Sequence, residues 1–242
     1  MTVTELLEAI SPPRPLPGAA ARTVMAPPFR RQELEALACL GDPKPTVPSR
    51  AGWREAAVLV LFYESGGGLR FPLIVRPDGP GVHAGQVSLP GGAREPEESP
   101  EDCALRETRE EIGVDPGSVR LVRALTPLHV PPSRFLVRPF AGVAAARPEF
   151  RLSGSEVAVL LEPRLDELLD PAGASCVDVR LGVAAGVGDG IADGIADGVA
   201  VGVAVGVAEA PCYELAGYSV WGATAMILSE LRAMIVGELA AG

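Results

Sequence analysis

Three glutamates near the middle of the chain stand close enough in sequence to act together. In a helix, which turns by about 100° per residue, Glu107, Glu110 and Glu111 would share one face. Carboxylates grouped in this way repel one another, so a helix gains no stability by collecting them. Hard divalent cations such as Mg²⁺ and Mn²⁺ prefer oxygen ligands. The group therefore predicts a metal site, and a solvated acidic helix face is the alternative.

The flanking residues predict the helix that carries these carboxylates. Ser99 is a good N-cap, and Pro100 suits the first helical position. Gly113 is the expected stop, because a residue there often adopts the left-handed conformation. We therefore expect a helix from Pro100 to Ile112.

Neighbouring residues are suited to support such a site. Gly91 and Gly92 lack side chains, so the backbone there can approach phosphates and metals closely. Arg106 lies one turn before Glu110, where it can pair with that carboxylate and hold its rotamer. We interpret Arg106 as orienting a glutamate rather than contacting substrate.

This spacing resembles the Nudix box. The positions that match are Gly92, Glu98, Arg106, Glu107, Glu110, Glu111 and Gly113. The resemblance implies an α/β fold, with a mixed, curved β-sheet between α-helices. It also implies hydrolysis of a nucleoside diphosphate linked to another moiety, in which water attacks phosphorus with the help of Mg²⁺ or Mn²⁺.

The same resemblance implies roles for individual acids. Glu107, Glu110 and Glu111 would bind metal directly. Glu98 would support the loop or bind metal through water, and a purely structural role is the alternative. The general base is a box glutamate or an acid elsewhere in the chain, for which Glu156 is the outside candidate.

A second resemblance concerns the segment before the helix. Residues 83–92, HAGQVSLPGG, are similar to the HxGQVxFPGG segment of the coenzyme A diphosphatase branch, and Arg76 stands where that branch has an upstream arginine. The resemblance implies substrate contacts from Arg76, His83 and Gln86, although Gln86 could instead brace the loop. Gly81 departs from the pattern, because an arginine that could hold a phosphate is expected there.

Composition excludes several classes of function. A net charge of −10 disfavours nucleic acid as a partner. The four cysteines form no zinc-binding pattern and are expected to be free thiols in a reducing compartment. The N-terminus has no secretory pattern, and no apolar run is long enough for a membrane span. We therefore expect a cytoplasmic protein with a small-molecule substrate.

The chain divides into two predicted parts. Residues 1–49 contain helical patterns at 3–10 and 31–40 and a proline-rich segment, and they are expected to be an extension of the Nudix domain at 50–242. The extension is either a dimer arm, which would make the protein a homodimer, or a cover over the core. We favour the cover.

Several strands are predicted within the main domain. The apolar run at 55–63 is expected to be a buried central strand. A strand at 135–145 contains Pro139 and is therefore expected near a sheet edge. Residues 128–134 are interpreted as a loop, and residues 155–161 as an apolar strand that opens with Ser155, Glu156 and Val157.

Residues 190–209 repeat a four-residue unit, GIAD, GIAD, GVAV, GVAV and GVAE. A period of four with a glycine in every unit suits neither a helix nor an alternating strand. We interpret the segment as part of a low-complexity insertion at about 182–209 in a surface connection. A lid or an assembly strip is the alternative.

The preferred function is metal-dependent hydrolysis of coenzyme A, or of its derivatives, to 3′,5′-ADP and 4′-phosphopantetheine. A different Nudix substrate is the first alternative: ADP-ribose, a dinucleotide polyphosphate or a nucleoside triphosphate. A non-catalytic module that binds a nucleotide and regulates a partner is the second. The intact set of Glu107, Glu110 and Glu111 disfavours it, because a pure binder does not need all three.

Overall fold

The computed structural model describes residues 1–11, 15–39, 53–78, 85–183 and 204–239. Its helices are α1 (Val3–Ile10), α2 (Gly18–Thr23), α3 (Pro28–Cys39), α4 (Pro100–Ile112), α5 (Leu165–Leu169) and α6 (Gly222–Leu239). Its strands are β1 (Arg54–Ser65), β2 (Gly68–Arg70), β3 (Leu73–Val75), β4 (Val87–Ser88), β5 (Gly91–Ala93), β6 (Val119–Ala124), β7 (Leu128–Val130), β8 (Phe135–Ala144), β9 (Val159–Leu161), β10 (Ala174–Val183), β11 (Ala204–Leu215) and β12 (Tyr218–Trp221). Within the described ranges, no helix combines the length and the apolar character needed to cross a membrane.

The main sheet is mixed and is built around β1. Its strand order is β2-β1-β8-β6, with β5 also paired to β1 and β7 to β8. β1 and β8 run parallel, whereas the other pairs are antiparallel. A strand covered on both faces needs a continuous apolar run, which AAVLVLFY supplies. The predicted central strand at 55–63 is therefore confirmed.

The side chains of β1 alternate between two hydrophobic cores, one on each face of the sheet. Leu59 and Leu61 lie in the core shared with α4, which contributes Cys103, Ala104 and Ile112. The core on the opposite face joins the sheet to α1 and α6 through Leu6, Ile10, Val60, Phe62 and Leu228. The sheet thus lies between helices, and the predicted α/β architecture is confirmed.

The strand that contains Pro139 lies inside the sheet, so its predicted position near an edge is wrong. β8 pairs with β1 on one side and with β6 on the other. The Pro139 carbonyl oxygen accepts a hydrogen bond from the Leu125 amide at 2.8 Å, one residue beyond the end of β6. In a strand, the N–H and the C=O of one residue point to the same side. The N–H that Pro139 lacks would therefore face the region just beyond the end of β6, where the pairing of β8 with β6 stops.

Two other predicted segments differ from the structure. The predicted loop at 128–134 contains β7, which pairs with β8. The predicted strand at 155–161 begins only at Val159, because the preceding residues form a turn. In that turn, the amides of Glu156 and Val157 both donate to the Ser153 carbonyl oxygen, at 3.1 and 2.9 Å.

The described end of the glycine repeat is a strand, which the period of four did not predict. β11 begins at Ala204 and pairs with β10 along ten residues, from Val183 opposite Ala204 to Ala174 opposite Tyr213. β12 pairs with the far end of β11. Pairing with β10 therefore overrides the weak strand propensity of glycine and alanine. Residues 184–203, which include most of the repeat, lie outside the described ranges.

The N-terminal helices are fixed to the domain by a buried ion pair. Arg22 of α2 and Glu230 of α6 are 1% and 0% exposed, and the Arg22 Nε lies 3.1 Å from the Glu230 carboxylate. Arg22 also donates to the carbonyl oxygens of Thr126 and Pro127. The Gly18 amide donates to Glu230 at 3.3 Å. Three segments that are distant in sequence therefore share one set of buried charges.

Removing one partner of this pair should destabilise the protein strongly. We expect Arg22→Met to lower the free energy of unfolding by about 3–5 kcal/mol, because Glu230 would remain buried without its cation. Arg22→Met combined with Glu230→Met should recover part of that loss. Urea denaturation of the three proteins measures the effect.

Arg151→Met is the matched control, because the Arg151 side chain is 78% exposed and lies 3.6 Å from Glu149. Its free energy of unfolding should change by less than about 0.5 kcal/mol. Equal losses in Arg22→Met and Arg151→Met would show that the buried pair does not hold the N-terminal helices.

Candidate active site

Helix α4 has the bounds and caps that the sequence predicts. The Ser99 hydroxyl accepts a hydrogen bond from the Asp102 amide at 3.0 Å, so Ser99 is the N-cap. Gly113 ends the helix in the left-handed conformation, with φ 77°. The acids of α4 differ in exposure: Glu111 is 4% exposed, whereas the Glu110 side chain is 53% exposed.

Gly91 and Gly92, which form the glycine loop before α4, pack directly on Glu107 and Glu111, the two inner glutamates of the helix. The Gly91 amide donates to the Glu111 carboxylate at 2.8 Å. A Cβ atom on Gly92 would lie 2.3 Å from the Glu107 carboxylate, and one on Gly91 would lie 2.2 Å from the Ala57 carbonyl oxygen. Gly91 therefore requires glycine, because backbone of β1 lies in the way of a Cβ, whereas at Gly92 the obstacle is the end of a side chain that can move.

Arg106 pairs with three carboxylates at once. Its guanidinium donates to Glu98 at 2.8 and 3.0 Å and to Glu107 and Glu110 at 2.9 Å each. These bonds confirm the predicted pairing with Glu110. Hydrogen bonds from Arg106 lower the pKa of Glu98 to about 2 and, in return, raise the pKa of Arg106. Arg106 therefore stabilises the charged form of Glu98 and holds the carboxylates of Glu98, Glu107 and Glu110 in place.

The inner acids lie in an environment that disfavours negative charge. The pKa of Glu111 is raised to about 7, chiefly by burial and to a smaller extent by the charges of Glu107 and Glu156, whereas the hydrogen bond from the Gly91 amide and the Arg76 cation act to lower it. Burial also raises the pKa of Glu107, with smaller contributions from Glu110 and Glu156. Glu107, Glu111 and Glu156 are thus electrostatically coupled.

Glu156 reaches the helix from a different part of the chain. It lies on the β8–β9 loop (residues 145–158), exposed to solvent. The amides of Arg151 and Ser153 donate to the carbonyl oxygens of Ile112 and Glu111, at 2.9 Å each. These carbonyls belong to the last turn of α4, whose acceptors have no partner within the helix. The loop caps that end and thereby brings Glu156 to the other acids.

The predicted substrate contacts are only partly within the described ranges. The Arg76 amide donates to the Gln86 carbonyl oxygen at 3.0 Å, and the Gly85 amide donates to the Arg76 carbonyl oxygen at 3.2 Å. This pairing sets Arg76 at the side of the glycine loop. There its positive charge acts to lower the pKa of Glu111. His83 and Gly81 lie outside the described residues.

The acids suit a hard cation in kind, because every donor is a carboxylate oxygen. In the part of the chain that the structure describes, however, no three His, Cys, Asp or Glu side chains converge to hold a metal ion. Arg106 engages Glu107 and Glu110 in this arrangement, as well as Glu98. Each of Glu107 and Glu110 bonds to Arg106 through one carboxylate oxygen, which leaves its other oxygen for a metal ion.

A second charged group beside the site was not predicted. Glu55 of β1 accepts from Arg94 at 2.7 Å and from Arg138 of β8 at 2.9 Å. Arg94 also donates to the Glu98 carbonyl oxygen at 2.7 Å, which connects this group to the Arg106 contacts. Glu55 and Arg138 meet only through the pairing of β1 with β8, so no local sequence signal predicts their contact.

Comparison with known proteins agrees with this arrangement. The family model of the NUDIX domain matches residues 53–176, just over half of the chain's 242 residues. The chain belongs to the Nudix family. The match includes the glycine loop, α4 and the loop that carries Glu156, whereas α1 to α3, β11, β12 and α6 lie outside it.

Two relatives illustrate the extent of the sequence similarity. The uncharacterized Nudix hydrolase NudL of Pectobacterium atrosepticum is 43% identical over 86 residues, which are 35% of this chain and 44% of that protein. The mitochondrial Nudix hydrolase 15 of Arabidopsis thaliana is 42% identical over 82 residues, which are 33% of this chain and 29% of that protein. The chain thus matches less than half the length of either relative.

Two solved structures align with about half of the chain. An Ap4A hydrolase of C. elegans aligns over 48% of this chain and 83% of its own, with 20% identity and a TM-score of 0.41. The NUDIX domain of Shewanella oneidensis NrtR, in complex with ADP ribose, aligns over 56% of this chain and 85% of its own, with 19% identity and a TM-score of 0.41. The family match agrees with the Nudix fold predicted from the sequence.

The two loop glycines should respond differently to substitution. Gly91→Ala should lower the free energy of unfolding by roughly 1–3 kcal/mol or more, because Gly91 has φ 149° and its Cβ would meet the backbone of β1. Gly92→Ala should leave stability nearly unchanged, since the Glu107 carboxylate can rotate away. Thermal denaturation of the two variants measures the difference, and equal destabilisation would contradict the described loop packing.

Proposed function

We propose that the protein hydrolyses the diphosphate bond of coenzyme A or its derivatives, with Mg²⁺ or Mn²⁺, to 3′,5′-ADP and 4′-phosphopantetheine. The observation that carries the hydrolytic reaction is the packing of Glu107 and Glu111 against the Gly91–Gly92 backbone, with Glu156 on the loop that caps the end of the same helix. A diphosphate resists hydrolysis because its anionic oxygens repel nucleophiles. Hydrolysis therefore requires cations and a base, and this arrangement suits both.

The acids of α4 are proposed as the metal ligands. Glu107, Glu110 and Glu111 would bind the cations directly, and Glu98 would support them. When bound, Mg²⁺ or Mn²⁺ neutralises the diphosphate oxygens and lowers the pKa of water. The chain contributes orientation: Arg106 holds Glu98, Glu107 and Glu110, and the Gly91 amide holds Glu111.

Glu156 is proposed as the general base. The Gly91 amide and Arg106 donate hydrogen bonds to the acids of α4, whereas Glu156 is exposed on a fixed turn next to them. A carboxylate in that position can accept the proton of a water molecule that attacks phosphorus. A glutamate of α4 is the alternative base.

Coenzyme A as the substrate rests on the sequence segment at 83–92 and on Arg76. The charge of Arg76 acts on the buried Glu111, which is consistent with Arg76 contacting a phosphate at the site. His83, Gln86 and the backbone of Gly91 and Gly92 are the other proposed contacts.

The absence of an arginine at Gly81 favours the alternative substrates, which are ADP-ribose, a dinucleotide polyphosphate or a nucleoside triphosphate. Each of these also carries a chain of phosphates and would need the same metal site. A regulatory module that binds a nucleotide without hydrolysing it would not need a base at Glu156.

We also propose that residues 1–49 form an extension that covers the core of the domain at 50–242. The burial of Leu6, Ile10 and Arg22 against that domain supports a cover rather than a dimer arm. A cytoplasmic location is a prediction from the sequence, and so is the expectation that neither nucleic acid nor a membrane is a partner.

A hydrolysis assay should separate these functions. The wild type should release 3′,5′-ADP from coenzyme A in the presence of Mg²⁺ or Mn²⁺ and should lose this activity with EDTA. Glu110→Gln should lower kcat by about 10²-fold or more, because it removes a proposed metal ligand. Chromatography of the products, with ADP-ribose and diadenosine polyphosphates as competing substrates, measures the preference.

Glu101→Gln is the matched control, because Glu101 is an exposed acid in the first turn of the same helix and is not among the proposed ligands or bases. It should retain wild-type activity. Turnover of ADP-ribose alone would reject coenzyme A as the substrate, and nucleotide binding without any turnover would favour the regulatory module.

A further inference from the structure

We propose that Arg147 is a positioning residue for the reaction, which closes the base of the β8–β9 loop onto Glu162 and thereby fixes the place of Glu156. This inference rests on the proposed function, in which Glu156 accepts the proton of the attacking water. The loop has no regular secondary structure over residues 145–158, and loops of this length are mobile unless tied down.

The first end of the loop is held by a two-point ion pair. The Arg147 guanidinium donates to Glu162 at 2.8 Å through Nε and at 2.5 Å through Nη2. Glu162 follows β9, beyond the other end of the loop, so this pair joins the two ends. A bidentate contact of this kind fixes orientation as well as distance.

Glu162 is itself held in place by the body of the protein. The hydroxyl group of Tyr63, a fully buried residue of β1, donates to its carboxylate at 2.8 Å. Arg70 of β2 donates to its backbone carbonyl oxygen at 2.6 Å. Arg147 therefore binds a group that two other strands already fix.

Aromatic contacts carry this constraint from Arg147 into the loop. The Arg147 guanidinium lies 5.0 Å from the centre of the Phe150 ring, and the Phe150 and Tyr63 rings are 5.8 Å apart. Phe150 directly precedes Arg151, whose amide caps α4 through the Ile112 carbonyl oxygen. The path of the chain from Arg147 to the end of α4 is therefore set by side-chain packing.

The constraint reaches Glu156 through the next residues. Ser153 bonds to the Glu111 carbonyl oxygen and starts the turn that carries Glu156. The Ala158 amide donates to the Val75 carbonyl oxygen at 2.9 Å, which fixes the chain beyond the turn. Loss of the Arg147 contacts would release the first of these two supports and let the carboxylate move relative to α4.

Arg147→Met tests this inference in the full-length protein. It should lower kcat by about ten- to a hundredfold, the loss expected when a reacting group is displaced by about 1 Å. KM and the dependence on Mg²⁺ should stay as in the wild type, because Arg147 touches neither the proposed ligands nor Arg76. Arg151→Met is the control on the same loop: its guanidinium is exposed and pairs with the exposed Glu149 at 3.6 Å, and the kcat of this variant should equal that of the wild type.

A double-mutant cycle with Glu156→Gln distinguishes positioning from general destabilisation. Glu156→Gln alone should lower kcat by about 10²–10⁴-fold. If Arg147 acts through Glu156, Arg147→Met should then cause no further loss in the Glu156→Gln protein. Multiplicative losses in the double variant, or a wild-type kcat in Arg147→Met, would overturn the inference while leaving the proposed function intact.

Two results would bear on the proposed function as well as on Arg147. A wild-type kcat in Glu156→Gln would reject Glu156 as the base and this inference with it, although hydrolysis itself would stand. A wild-type protein that hydrolyses none of the tested substrates would overturn the proposed function and, with it, the role of Arg147.

Discussion

The burial of Glu111 among other acids is the constraint on which the geometry of the site depends. A carboxylate that is removed from water and faces Glu107 and Glu156 is costly to keep charged. The fold offsets this cost with a backbone amide from Gly91 and the cation of Arg76. The close approach of Gly91 to β1 follows from the same need, because only a residue without Cβ can place its amide there.

The site has two sides, and they are built in different ways. One side is continuous in sequence: the glycine loop and α4 lie within 22 residues of each other, from Gly92 to Gly113. The other side consists of Arg76, which follows β3, and of the β8–β9 loop with Glu156. Both are distant from α4 in sequence and are brought to it by the pairing of strands in the sheets. Since β1 and β8 are parallel, the chain must cross over between them, and α4 lies on that crossover. The loop after β8 then returns to the end of α4.

This difference explains which features could be predicted from the sequence. The bounds of α4, its caps at Ser99 and Gly113 and the pairing of Arg106 with Glu110 depend on residues a few positions apart, and each was predicted correctly. The interior position of Pro139 depends on the pairing of β8 with two strands distant in sequence. The contacts of Glu55 with Arg94 and Arg138, and the strand formed by the end of the glycine repeat, depend on such pairing as well. No local pattern contains that information.

The C-terminal end of α4 links the two sides of the site. Gly113 ends the helix with a positive φ, and a Cβ atom at this position would lie 2.7 Å from the Arg151 Cβ. The glycine therefore both stops the helix and admits the loop that caps it. Because Ser153 bonds to the carbonyl oxygen of Glu111, the backbone of a proposed metal ligand also carries the segment with the proposed base. The same loop is also held to the sheets by Ala158 and Arg147, so the spacing between ligand and base depends on both attachments, one to α4 and one to the sheets.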